Sequence, residues 1–264
     1  MIFAAFTDSS IPSSFYVDNV SITASAGSNT APTTGWWWNV SEPGRGFAIE
    51  QRGNKIFLAG FYYDTSGAAA WSVSTLTRQS DGSYNGILER YTNGQSLNGA
   101  FRLATGVKIA DVVLTFTTAS VGALQVRSVG GTVSNIALQR FPISSPAAFA
   151  NPSASFENGW WWNAAEPGRG YFLEVQGNQA FVSMFAYQDN DDAVWYVSYA
   201  TLANGSNMPA PLQQYGNGQT LQGPPLTATQ VGAPGTLQFS FSASGLGTLR
   251  LPNGALINLT RFLF

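Results

Sequence analysis

The chain contains the same module twice. Gly35-Trp36-Trp37-Trp38-Asn39, followed by Glu42-Pro43-Gly44-Arg45-Gly46, returns 124 residues later as Gly159-Trp160-Trp161-Trp162-Asn163 and Glu166-Pro167-Gly168-Arg169-Gly170. Held without a gap, the same offset matches Glu50 to Glu174, Phe57 to Phe181, Phe61 to Phe185, Tyr63 to Tyr187 and Trp71 to Trp195. A small indel is expected around Ser72 to Asn85; beyond it Tyr91, Asn93-Gly94-Gln95 and Leu97 meet Tyr215, Asn217-Gly218-Gln219 and Leu221. Both copies close on Arg-Phe, at Arg140-Phe141 and Arg261-Phe262. Whatever one copy folds into, the other must fold into as well, so the problem reduces to a module of roughly a hundred residues. The expected division is a remnant strand and Ser/Thr/Pro-rich linker over 1–32, a first module over 33–143, a linker over 144–155 and a second module over 156–264.

Within the first copy, short β-rich runs fall at Trp36 to Asn39, Phe47 to Gln51, Ile56 to Tyr63, Ala70 to Thr77, Tyr84 to Arg90, Val112 to Thr118, Ala123 to Ser128 and Val133 to Phe141. Pairs such as Gly53-Asn54, Asp81-Gly82, Asn93-Gly94 and Gly130-Gly131 separate them, several of a type that turns a hairpin. No window sustains a helical period. The reading is all-β: two tandem antiparallel up-and-down barrels of about eight strands each, because closure removes exposed sheet edges, with β-sandwiches as the alternative.

Composition decides which chemistries remain. Lys+Arg of 12 against Asp+Glu of 14, with 10% charged residues overall, provides no basic stripe, so nucleic acid is excluded as a partner. Cysteine and histidine are both absent, which removes thiolate nucleophiles, imidazole bases and most transition-metal sites; no cofactor and no metal are expected. No run approaches the ~20 apolar residues of a membrane helix, so no transmembrane segment is expected. Many Gly, Ser, Thr, Asn and Gln residues, two lysines (Lys55 and Lys108) and 14% aromatics suit a secreted or cell-surface bacterial β-protein, with its signal peptide expected upstream of this chain.

Two family resemblances follow from particular residues. Phe15-Tyr16-Val17-Asp18-Asn19-Val20-Ser21-Ile22 resembles the last strand of galactose-binding-like jelly rolls, which implies an upstream domain of a modular protein as a partner. Gly35-Trp36-Trp37 and Gly159-Trp160-Trp161 resemble the Gly-x-Trp of the first strand in the calycin superfamily of lipocalins, fatty-acid-binding proteins and avidins. Arg140 and Arg261 stand where that superfamily places an arginine that closes over the tryptophan. Trp37-Trp38-Asn39 and Trp161-Trp162-Asn163 are similar to the start of avidin strand one. The resemblance implies a barrel closed by Trp37 with Arg140 and by Trp161 with Arg261. It does not cover Glu-Pro-Gly-Arg-Gly and predicts no biotin.

With Trp37 and Trp161 inward, period-two alternation sends Asn39 and Asn163 inward and turns Trp36, Trp38, Trp160 and Trp162 outward. On the third strand Phe57, Phe61 and Tyr63, like Phe181, Phe185 and Tyr187, share one face, read as an aromatic inner wall to which Trp71 and Trp195 add. The candidate ligand-binding set is therefore Trp36, Trp38, Asn39, Arg45, Tyr63 and Trp71, with Trp160, Trp162, Asn163, Arg169, Tyr187 and Trp195 in the second copy. Arg45 and Arg169 are either forked donors to a ligand or, with Glu42 and Glu166, staples of a rigid turn. Asp189-Asn190-Asp191-Asp192 offers oxygen ligands but has Asp64-Thr65-Ser66-Gly67 opposite it in the first copy, and reads as a solvated hairpin tip.

The expected function is a non-catalytic accessory module of a secreted bacterial modular protein that binds a carbohydrate or another small ligand. One alternative is a structural module with filled barrels, acting in adhesion or in domain docking through its tryptophans. The other is a glycosidase-like enzyme using Glu42 with Glu50 and Glu166 with Glu174.

Overall fold

The computed structural model describes residues 30–145, 155–202, 207–243 and 245–264. The jelly-roll-like strand at 15–22 and most of the expected linkers lie outside them. The described chain contains eighteen strands: β1 Gly35–Trp38, β2 Gly46–Arg52, β3 Lys55–Tyr63, β4 Ala69–Arg78, β5 Tyr84–Thr92, β6 Thr105–Thr118, β7 Val121–Ser128 and β8 Val133–Arg140 in the first copy. The second copy has β9 Gly159–Trp162, β10 Gly170–Gln176, β11 Gln179–Tyr187, β12 Ala193–Thr201, β13 Asn207–Pro211, β14 Gln213–Gly216, β15 Thr229–Gly232, β16 Thr236–Ala243, β17 Leu246–Arg250 and β18 Leu256–Arg261. Strands β1 to β8 pair in sequence, all antiparallel, and β8 returns to β1 through Trp37 opposite Arg140, closing an eight-stranded barrel. Among the described residues no helix is long and apolar enough to cross a membrane.

The second copy is a curled ten-stranded antiparallel sheet, in the order β13-β16-β17-β18-β9-β10-β11-β12-β14-β15. The reason it stays open is visible in its prolines. In the first copy Thr77 pairs with Asn85 to join β4 to β5; the same offset puts Thr201 opposite Pro209, which has no N–H to give. Where β5 and β6 bend around a one-residue register shift at Leu88 and Glu89, the second copy breaks both strands, at Leu212 and at Ala233-Pro234-Gly235. The Leu212 amide donates to the Gly235 carbonyl at 2.8 Å and bridges the break. No indel falls between Ser72 and Arg90: Ser72 opposite Arg90 recurs as Tyr196 opposite Gln214, still 124 residues on.

Trp37 is fully buried inside the first barrel with Phe47, Ile49, Ile56, Leu58 and Tyr62, so it points inward as the alternation requires. Side chains fill that interior as one continuous apolar cluster, as an eight-stranded barrel permits. The same register corrects the expected aromatic inner wall. Because Ile56, Leu58 and Tyr62 face inward, Phe57, Phe61 and Tyr63 face out, and they are buried against the other copy. Strands β3 and β11 are thus apolar on both faces, one toward a barrel interior and one toward the seam between copies.

That seam is pseudo-symmetric. Trp36 packs edge-on against Phe181 (4.9 Å, 84°), and Trp160 packs edge-on against Phe57 (5.3 Å, 85°). Glu50 of the first copy takes Arg261 of the second at 2.5 Å and accepts the Trp160 amide at 2.6 Å. Reciprocally, Glu174 pairs with Arg140 and accepts the amide of Trp36. The Arg261 guanidinium also sits 5.1 Å from the Trp161 ring centre. The side chains of Arg140 and Glu174 are each 2% exposed. Deleting one member of such a buried pair strands the other's charge. Glu174→Ala should therefore lower the unfolding free energy in urea by about 3–5 kcal/mol, and Glu174→Met combined with Arg140→Met should recover most of it. A loss below about 1 kcal/mol for the single variant would show that the pair does not hold the copies together.

Candidate functional site

Each Glu-Pro-Gly-Arg-Gly loop is seated on the Asn-Gly-Gln loop of the other copy. Arg45 forms an ion pair with Glu42 and donates to the carbonyl of Leu221; Arg169 pairs with Glu166 at 2.9 Å and donates to the Leu97 carbonyl at 2.9 Å. Gln95 and Gln219 reach back to Glu166 and Glu42 at 3.3 and 3.4 Å. The Glu-Arg pair thus staples each turn, and its arginine also ties that turn to the other copy. Leu221, carried on its loop, joins the interior cluster of the first barrel.

The Asn-Gly-Gln spacing is explained by the same contact. Asn93 and Asn217 adopt left-handed backbone, with φ of 62° and 60°, a conformation asparagine tolerates. A Cβ on Gly94 would fall 1.9 Å from the Tyr187 ring, and one on Gly218 would fall 2.2 Å from the Tyr63 ring. The amides of Tyr63 and Tyr187 donate to the carbonyls of Gln219 and Gln95 at 3.1 and 3.3 Å. The hairpin tip carrying Asp189-Asn190-Asp191-Asp192 is largely exposed, and it also touches the other copy: the Asn93 amide donates to the Asp191 carbonyl at 3.0 Å, and the Asp191 carboxylate pairs with Arg102 at the surface.

Where the two copies diverge at the rims of the seam, two equivalent clefts open. The first, about 230 Å³, is lined by Trp36, Trp38, Arg45, Tyr63 and Phe141 from one copy and by Trp195, Tyr199 and Tyr215 from the other. The second, about 200 Å³, has Trp162, Arg169, Tyr187 and Phe262 facing Trp71 and Tyr91. Each has a platform of two stacked rings. Trp71 lies on Tyr91 at 5.8 Å and 7°, and Trp195 on Tyr215 at 6.5 Å and 16°. The indoles are held by their own N–H groups, Trp71 donating to the Ala186 carbonyl at 3.2 Å and Trp195 to that of Tyr62 at 3.0 Å. Trp38 and Trp162 form the facing walls, braced edge-on by Phe141 and Phe262 at 5.1 Å each.

The candidate residues thus separate into three groups. Trp36, Trp38, Arg45, Tyr63 and Trp195 meet in the first cleft, and Trp71, Trp162, Arg169 and Tyr187 in the second. Trp160 is buried in the seam. Asn39 and Asn163 do not face inward: both sit just past their strands and accept, through Oδ1, the amides of Ser41 and Ala165, closing Asx turns. Tyr91, Tyr215, Phe141 and Phe262 belong to the clefts and were readable as repeated positions, yet only the fold shows that they converge. Tyr199 has Thr75 at the equivalent place, so duplication could not mark it.

Several residues that line the clefts carry polar atoms that are buried and unpartnered. In the first, Trp36 Nε1, Trp38 Nε1, Arg45 Nε and the Tyr63 hydroxyl are buried without a partner; in the second the Tyr187 hydroxyl is. Burial lowers the Arg45 guanidinium from its ordinary range against the pull of Glu42. It pushes the phenols of Tyr63, Tyr171 and Tyr187 well above theirs, and that of Tyr196 to about 12.

A closed eight-stranded antiparallel barrel joined along an aromatic seam to a curled half-barrel sheet, with paired ring-lined clefts at the seam, is the class of protein that fold and site define. Compared with known protein families, curated proteins and solved structures, the chain matches none.

The raised phenols give a pH signature. An unfolded chain ionises its tyrosines from about pH 10, whereas the folded chain holds these protons to higher pH. The stability they contribute is complete below about pH 10 and is lost as pH rises through the raised values. Absorbance titration should show only part of the ten tyrosines ionising by about pH 11 in the folded chain and all of them in urea. Full ionisation near pH 10 with no loss of stability would contradict the burial described.

Proposed function

We propose that the chain is a non-catalytic ligand-binding module of a secreted bacterial modular protein, and that it holds a carbohydrate ring in each of the two clefts at its seam. The observation that carries this reading is the aromatic lining of two equivalent concave sites, with Trp38, Tyr199 and Tyr215 in the first and Trp162 and Tyr91 in the second. A pyranose presents an apolar C–H face to aromatic rings, which is the complement of these linings. At about 230 Å³ the cleft suits one ring, not an extended chain.

Several features support a calycin-like relationship: the closed barrel, Trp37 opposite Arg140, and Arg261 over Trp161. The ligand would nevertheless lie between barrels, because side chains occupy the interior of the closed one. The acids also favour binding over hydrolysis. Glu50 and Glu174 are buried in ion pairs across the seam, and Glu42 and Glu166 are tied to the arginines of their own loops. The docking alternative accounts well for Trp36 and Trp160, which bury the seam, but leaves Trp38 and Trp162 lining open clefts.

Titration of the intact chain with a panel of mono- and disaccharides, read by tryptophan fluorescence and calorimetry, should reveal a stoichiometry approaching two. Trp38→Ala and Trp162→Ala should each remove one site and leave the fold intact. Failure of every sugar in the panel, or binding indifferent to both substitutions, would sink the proposal.

A further inference from the structure

Glu89 and Gln213, 124 residues apart, occupy equivalent places and differ in charge. Gln213 lines the first cleft beside Val197, its neighbour across the β12–β14 ladder. The equivalent pair in the first copy is Val73, which lines the second cleft, opposite Glu89 on β5. Surroundings are conserved: the Tyr215 hydroxyl donates to Gln213 Oε1 at 3.3 Å, and the Tyr91 hydroxyl donates to Glu89 Oε2 at 3.2 Å. Both tyrosines are the outer rings of the stacked platforms. The first cleft is therefore lined by an amide where the rim of the second has a carboxylate, each held by the equivalent phenol.

We propose that the second cleft selects a ring bearing an ammonium group, such as an amino sugar, while the first takes an uncharged ring. This rests on the reading of the clefts as ring-binding sites and adds the charge that separates them. The charges around Glu89 do not cancel it. Arg169 is neutralised by Glu166 at 2.9 Å, as Arg45 is by Glu42 in the first cleft. Lys108, opposite Glu89 in the β5–β6 ladder, places its ammonium on Asp111 at 2.8 Å. An uncompensated carboxylate thus stands at the Tyr91 edge of the platform, where an ammonium gains a counter-ion beside the rings of Tyr91 and Trp162 that line the cleft. The first cleft has the neutral Gln213 at the equivalent place and its arginine is paired with Glu42, so no free carboxylate there favours an ammonium.

Cyclohexylammonium and cyclohexanol are matched probes of this difference, and glucosamine with N-acetylglucosamine repeats the comparison on a sugar. The intact chain should bind cyclohexylammonium at one site. Glu89→Gln, which installs the side chain that the other cleft already carries, should weaken that binding by about tenfold and leave cyclohexanol unaffected. Gln213→Glu should add a second ammonium site. Equal affinity for the charged and neutral probes, or an ammonium affinity unchanged in Glu89→Gln, overturns the inference. If the two amines and the variants behave as described for cyclohexylammonium but no sugar binds, the charge assignment holds and the carbohydrate reading falls. If neutral sugars bind and Glu89→Gln changes nothing, the reverse is true. If neither probe and neither sugar binds, both fall.

Discussion

Two buried carboxylates hold this structure in its arrangement. Glu50 and Glu174 each leave their own copy, accept the backbone amide that opens the other copy's first strand, and meet the arginine that ends its last strand. A carboxylate in a low-dielectric seam is tolerated only where such partners surround it. Its position in turn fixes where Trp36 and Trp160 lie, and those indoles fix the two third strands against one another. The Arg-to-carbonyl contacts of the Glu-Pro-Gly-Arg-Gly loops and the close approach of Gly94 and Gly218 to the facing tyrosines extend the same reciprocity to the rims. The clefts are what remains where this packing ends, so the candidate site is a product of the seam and belongs to neither copy alone.

Much of the architecture is legible in the chain. Period-two runs and Gly-containing turns place the eight strands of the first copy within a few residues, with β6 beginning earlier than Val112 because its first residues are exposed and carry no apolar alternation. The offset finds nearly every position that lines the seam. What the sequence does not disclose is direction. Strand β3 is apolar on both faces, so alternation alone cannot say whether Phe57, Phe61 and Tyr63 look into the barrel or away from it. The barrel interior is met instead by Ile56, Leu58 and Tyr62, ordinary core residues whose counterparts vary between copies.

The same logic explains the other misplacements. Asn39 and Asn163 fall one residue beyond their strands, where period-two reasoning no longer applies and an Asx turn takes over. Positions repeated in two copies of one chain report on shared constraint; here most of that constraint is mutual packing, which is why the signature looks like a ligand site when each copy is considered alone. The differences between copies are equally informative. Pro209 stands where Asn85 joins β5 to β4 in the closed barrel, and Glu89 stands where the second copy has Gln213.

If the seam carries the fold as described, neither copy can melt without exposing the apolar face and stranding the buried charges of the other. Differential scanning calorimetry of the intact chain tests this most directly. One transition is expected, with a calorimetric enthalpy equal to the van't Hoff enthalpy; two resolved transitions, one for each copy, would show that the seam does not carry the fold.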